Sequence, residues 1–341
     1  MPHLVMMPER KPAPVAVAAA AEQLWLFAGE DGGGVDLAAL RRERAMLAVS
    51  RRALNTERAY RFDWADFSGW CLRAGVSPLP ATSDTLQLYC IDQARHGRAY
   101  ATIARRTAAV AAQHAAAGLR NPVDADVREV LGGLARRLGT APHRKAALTP
   151  DDLVRLVESC PAGALGARDR ALLLVGFASS LRRSELAGLQ LADVDEVGPG
   201  LVIRLARSKT DQLGVGRELG IHRGVHAMTC PARALAAWVA VRGDWPGPLF
   251  CFVDRKGAVL KRAMSGASIA VAIKSACSRV GLDPARYAGH SLRAGCATAC
   301  SANRADALSI MARTGHKSVE MVGRYVRHAS LFAVDPLAGV L

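Results

Sequence analysis

One short stretch, Gly139 to Ala147, constrains this chain more than any other. It contains Pro142 and the basic pair Arg144-Lys145. Such composition sustains neither a helix nor a strand and reads as a linker. Directly after it, Thr149-Pro150-Asp151-Asp152 carries a helix-start signature. A hydroxyl stands ready to cap, proline occupies a position whose N–H is spare, and acids face the positive helix end. The chain is therefore expected to fold as two bodies, and 341 residues suffice for two cores. The expected division is a leader over 1–36, a helical domain over 37–140, a linker over 141–148, a second domain over 149–330 and a tail over 331–341.

The first body reads as helical throughout. Asn55-Thr56 is expected to cap a helix carrying Tyr60, Trp64, Phe67, Trp70 and Cys71 at helical spacing and ending at Gly75. Further helices follow Ser83, run from Tyr100 to Ala117, and span Val123 to Leu138. The aromatic stripe reads as core rather than as a base-stacking surface. In the second body, Asp169 to Ala178 is a buried helix. Leu201–Leu205 and Glu218–Ile221 flank the polar turn Arg207-Ser208-Lys209-Thr210-Asp211 as the two strands of a hairpin. Helices are expected from Pro231 to about Tyr325. The fold class is thus mainly α: an all-helical N-terminal domain and a mostly helical second domain with a small antiparallel β-sheet.

Charge narrows the partner. The formal net charge is +15, which points to a polyanion. Of 45 basic residues 7 are lysine, leaving 38 arginines, whose planar forks match phosphate oxygens. Residues 38–145 hold 18 basic and 9 acidic residues. Eight scattered cysteines form no Cys-x-x-Cys pair and read as buried hydrophobes or thiols of a reducing compartment, the cytoplasm. No apolar run approaches the roughly 20 residues of a membrane span, so no membrane association is expected. Arg10-Lys11 before Val15–Ala21 has a trace of a signal peptide, but Pro12 and Pro14 interrupt it, and a disordered Ala/Pro leader is the better reading.

The chemistry-bearing residues occur in a fixed order. They are Arg182 and Glu185 in Leu181-Arg182-Arg183-Ser184-Glu185-Leu186, Lys209 in the hairpin turn, His290 and Arg293 in His290-Ser291-Leu292-Arg293, His316 after Gly315, and Tyr325 nine positions later. His290 and Arg293 share a helix face and can hold one anion. Arg182, flanked by apolar residues, needs Glu185 or a phosphate as partner. A phosphodiester in its pentavalent state gains charge on its non-bridging oxygens, which Arg182 and Arg293 can hold by forked hydrogen bonds and His316 by another. Tyrosine must lose a proton to attack, and His290 is the natural base. The mobile Lys209 can protonate the leaving 5′-oxygen. Glu185 orients its neighbours. No carboxylate cluster is present to hold a metal, so neither metal nor cofactor is expected. On one straight helix His316 and Tyr325 would face opposite ways. Gly315 and Ser318 imply that a helix ends at Gly315 and a new one starts near Ser318.

This order resembles the tyrosine recombinase (phage integrase) family over roughly residues 40–330, most strongly over 170–330. The layout resembles its simple, Cre-like members, although His316 stands where that subset carries tryptophan and follows the wider family instead. The resemblance implies a site-specific DNA recombinase. Tyr325 would form a 3′-phosphotyrosine, a partner 5′-hydroxyl would reverse the step without ATP, and two rounds would pass through a Holliday junction. It also implies double-stranded DNA with an inverted-repeat site and a homotetramer on two such sites. The apolar tail Leu331–Leu337 would be exchanged between protomers. The N-terminal helices would clamp DNA, with Arg58, Thr102, Arg105 and Arg106 as contacts. A type IB topoisomerase or telomere resolvase would use the same chemistry, and a non-catalytic DNA-binding protein is the alternative of another class.

Overall fold

A computed structural model describes residues 36–37, 40, 54–141, 145–205 and 216–323. The chain divides into two compact units, Met1–Thr140 and Ala141–Leu341.

Four helices account for residues 54–138 of the first unit: α1 (Leu54–Ala74), α2 (Ser83–Arg95), α3 (Tyr100–Ala116) and α4 (Ala125–Leu138). Asn55 and Thr56 lie within α1 rather than ahead of it, so neither is its cap. Thr82 caps α2 by accepting from Thr85 N at 3.1 Å, and Asp124 caps α4 by accepting from Val127 N at 3.1 Å. Each cap satisfies a backbone donor that the helix itself leaves open. The core gathers Phe67, Cys71, Leu86, Tyr89, Ile103, Val110, Val127 and Leu134. Phe67 meets Tyr89 edge-on with centroids 5.0 Å apart, a favourable quadrupole geometry. The aromatic stripe of α1 is core at Phe67, with Trp64 and Trp70 packed against it.

The second unit is organised around α6 (Gly163–Ser179), which follows α5 (Pro150–Glu158). The run Ala171-Leu172-Leu173-Leu174-Val175 is buried on every side, as expected of a helix apolar all round. Thr149 and Asp152 form a reciprocal capping box at the start of α5, with Pro150 at the first helical position. Then come α7 (Arg183–Gly188), β1 (Val194–Val197), β2 (Gly200–Leu205), β3 (Arg217–His222), α8 (Pro231–Arg242), β4 (Cys251–Val253), β5 (Val259–Ala263), α9 (Gly266–Arg279), α10 (Gly289–Ala302) and α11 (Ala307–Thr314).

Strands β1, β2 and β3 form an antiparallel sheet in that order. Leu201 pairs with Ile221, and Leu205 with Arg217. The alternation buries Leu201, Ile203, Leu205, Leu219 and Ile221. Two features differ from the sequence reading. The hairpin gains a third strand, β1. The stretch expected to be helical from Pro231 onward is broken by a second, two-stranded sheet of β4 and β5. The cause of the second is local. Asp254 Oδ1 accepts from both Lys256 N and Ala258 N at 2.8 Å, and Gly257 takes φ +86°, closing a turn no helix can accommodate.

Helix α10 is fixed by a close backbone approach. Leu148 N donates to Ser291 O at 3.1 Å. A Cβ on Gly295 would lie 2.1 Å from Leu148 O, so only glycine admits that strand of chain.

Candidate active site

Helix α6 ends at Ser180, a non-glycine residue in the left-handed region with φ +55°. That turn sends Leu181 into the core and brings Arg182 to the start of α7. Glu185, on the first turn of α7, binds the arginine twice. Its Oε1 accepts from Arg182 Nη1 at 2.6 Å, and its Oε2 accepts from Arg182 N at 2.9 Å. The Glu185 side chain is 4 % exposed. A carboxylate so placed fixes both the helix start and the guanidinium.

Arg293 comes from the second turn of α10 and is 1 % exposed. Its Nη1 donates to Ser180 O at 2.7 Å. The left-handed turn that positions Arg182 therefore also holds Arg293. His290 stands one turn earlier on α10 and presents a face to solvent. Burial of its ring, and then the charges of Arg293 and Arg182, push its pKa below the ordinary histidine value.

Helix α11 stops at Thr314. Gly315 takes φ +65° and its N–H donates to Met311 O at 2.7 Å, a left-handed C-terminal cap. Residues 319–323 are helical again, and Ser318 Oγ accepts from Met321 N at 3.3 Å. The break inferred from Gly315 and Ser318 is thus present, with His316 between the two helices. Thr314 Oγ1 donates to Ile310 O at 2.7 Å and lies 2.7 Å from His316 Nδ1. Burial, followed by Arg293, Arg182, His290 and Arg217, lowers the His316 pKa to about 4.

Arg182, Glu185, His290, Arg293 and His316 are therefore brought together from α7, α10 and the break after α11. Lys209 and Tyr325 lie outside the described residues, as does the tail 331–341. Sequence reasoning missed Arg217. Its guanidinium feels the charges of Glu185 and Arg182, and burial lowers its pKa. Strand periodicity held the signal, because Arg217 shares a face with the buried Leu219 and Ile221. Three guanidiniums and two imidazoles thus stand against one carboxylate, an arrangement suited to a phosphate.

In the helical unit the four expected DNA contacts differ in setting. Arg58 is exposed on α1, and Thr102 is half-buried on the first turn of α3. Arg105 is half exposed and forks onto Asp63, at 2.7 Å from Nε and 2.9 Å from Nη2. Arg106 is held inward. Its side chain is 12 % exposed and binds Asp66, Tyr89 and Gln93. The resemblance listed Arg106 among the DNA contacts; the acids of α1 instead hold it inside the bundle.

Residues 146–331 match the model described as the phage integrase family. The chain belongs to that family, the tyrosine recombinases, and is an enzyme of the site-specific recombinase class. It is 38 % identical over 305 residues to an integrase/recombinase xerD homolog of Selenomonas ruminantium, spanning 86 % of this chain and 89 % of the relative. It is 24 % identical over 282 residues to the recombinase cre of Escherichia phage P1, spanning 77 % and 80 %. Among solved structures, the Tn1549 transposon integrase in complex with transposon right end DNA shares the fold with a TM-score of 0.61, at 17 % identity over 84 % of this chain and 94 % of that one.

Proposed function

We propose that this chain binds double-stranded DNA carrying an inverted-repeat site and recombines it through a 3′-phosphotyrosine formed by Tyr325. The observation that carries this reading is the convergence of Arg182, Arg293, His290 and His316, with Glu185 bonded to Arg182. In the proposed reaction the two arginines bind the non-bridging oxygens of one phosphodiester and offset the charge that grows there in the pentavalent state. His290, whose pKa is lowered by partial burial and by the charges of Arg293 and Arg182, accepts the phenol proton of Tyr325. Lys209 protonates the departing 5′-oxygen. Glu185 positions Arg182 through the two hydrogen bonds already described.

His316 has a defined proton inventory. The Thr314 hydroxyl proton goes to Ile310 O, so Thr314 Oγ1 accepts from His316 Nδ1–H. A phosphate among the arginines offsets the charge that depresses the ring pKa, allowing Nε2 to gain a proton and donate to a phosphate oxygen. The free 5′-hydroxyl of a partner strand then attacks the phosphotyrosine, and a second round resolves the Holliday junction. A homotetramer on two sites supplies the four tyrosines this needs. Arg58, Thr102 and Arg105 are the proposed contacts of the helical unit with DNA, Arg106 serving inside it, and the place of action is the cytoplasm, at the nucleoid. Among the described residues no helix is long and apolar enough to cross a membrane.

The test is a covalent trap. The full chain is incubated with duplex fragments from the DNA flanking its own gene, nicked to let the short 5′-product diffuse away, and run on a denaturing gel. A protein–DNA adduct that vanishes in Tyr325→Phe is expected. An adduct that persists in the variant removes Tyr325 as the nucleophile.

A further inference from the structure

Arg217 occupies a place that the reaction just proposed does not use. It opens β3, and its side chain crosses to the C-terminal end of α11. Nη1 donates to Ala312 O at 3.3 Å and, more weakly, to Arg313 O at 3.5 Å. These are carbonyls of the last turn, which have no partner within the helix and carry its negative dipole end. The guanidinium also packs on Gly315. A Cβ there would lie 2.7 Å from Nη1 and 2.9 Å from Cζ. The next residue is His316.

A second arginine completes the anchorage. Arg313 Nη1 donates to Gly220 O on β3 at 2.9 Å and to Ala178 O on α6 at 3.2 Å. Strand and helix end are thus tied in both directions: β3 reaches α11 through Arg217, and α11 reaches β3 through Arg313. Arg217 Nη2 is buried and has no hydrogen-bond partner among the described residues. Among the described residues, the charges facing His316 are Arg182 ahead of α7, His290 and Arg293 on α10, and Arg217 on β3.

We propose that Arg217 is a positioning residue for His316, holding the end of α11 and the left-handed Gly315 so that the imidazole meets the phosphate between Arg182 and Arg293. It acts through the helix end and not by transferring a proton. Gly315 belongs to the same device, since any side chain there displaces the guanidinium. The proposal rests on the recombinase reading of the site, and its test separates the two.

The cleavage rate of the nicked flanking duplex is measured for the wild-type chain, Arg217→Ala, Arg217→Lys, His316→Ala and the Arg217→Ala/His316→Ala double variant. A misplaced reactive group costs on the order of 10²-fold, so Arg217→Ala is expected to slow cleavage by that order. Lysine, which can also donate to helix-end carbonyls, is expected to recover most of the loss. In the His316→Ala background, removing Arg217 is expected to add less than about threefold, because the two residues act as a unit. Equal losses in both backgrounds overturn the proposal, as does an Arg217→Ala rate equal to wild type. In parallel, the His316 ring is titrated by NMR in the DNA-free protein. Arg217→Ala is expected to raise its pKa from about 4 and shift its resonances, and Arg217→Lys to leave both near wild type. Unchanged resonances in Arg217→Ala overturn the proposal without reference to cleavage. Absence of any adduct from the wild-type chain refutes the recombinase reading alone. Where Arg217→Ala does not fold, Arg217→Gln takes its place in the same cycle.

Discussion

Replacing Glu185 tests how the site is held together. Two charge-assisted hydrogen bonds end on this carboxylate, from Arg182 Nη1 at 2.6 Å and from Arg182 N at 2.9 Å. Hydrogen bonds to charged groups contribute about 1.5–3 kcal/mol each. The Arg182 side chain is 18 % exposed, so water recovers part of its share. Loss of both bonds in Glu185→Ala is then expected to cost about 3 kcal/mol. For a unit of this size that corresponds to roughly 6–12 °C in Tm. Glu185→Gln can accept one bond but turns its amide NH2 toward the other donor, so about half the loss or more is expected. The catalytic effect follows from the same geometry. Arg182 would no longer be pinned and would sample rotamers away from the phosphate, slowing cleavage by about 10²-fold in Glu185→Ala. The assays are a thermal melt and single-turnover cleavage of the nicked duplex. Saturating DNA should restore part of the lost Tm, because the phosphate replaces the missing anion. An unchanged Tm together with an unchanged cleavage rate would show that Arg182 is held by other contacts and would refute the reasoning.

Two further predictions follow from burial and charge. His316, with its pKa lowered to about 4 from an unperturbed 6.5, binds fewer protons folded than unfolded between those values; stability should therefore be fully present above about pH 6.5 and fall as pH drops toward 4. The melt of His316→Gln should lose that slope, and a ring titrating near 6.5 by NMR in the free protein contradicts the assigned surroundings. In the helical unit, Asp63 is 3 % exposed and faces both Arg105 and Arg106; Asp63→Ala removes the forked partner of Arg105 and the more distant of the two carboxylates beside Arg106, which keeps Asp66, and should destabilise by about 1.5–3 kcal/mol, whereas Arg58→Ala should stay within about 0.5 kcal/mol. Urea titrations of the two variants should differ clearly in midpoint, and equal midpoints would mean that neither arginine needs Asp63.

Much of this protein is legible in its sequence. Thr149-Pro150-Asp151-Asp152 specified its own helix start, because capping groups act within one turn of themselves. Gly315 and Ser318 specified a helix break for the same reason. The order Arg182, Glu185, His290, Arg293, His316 carried the family resemblance, and these residues do come together in the fold. The second sheet escaped because β4 and β5 are too short for a period to register, and their turn depends on Asp254 and Gly257. What only the tertiary structure decided is which charges meet. Arg106 was expected to contact DNA, yet acids on α1 turn it inward. Arg217 looked like one more arginine in an arginine-rich chain, yet the strand it opens carries it to the end of α11, beside His316. Local pattern determines helices and caps, because those forces act over a few residues. The partner of a charge 95 or 96 positions away in sequence, as Arg217 is from Ala312 and Arg313, is determined only when the chain is packed.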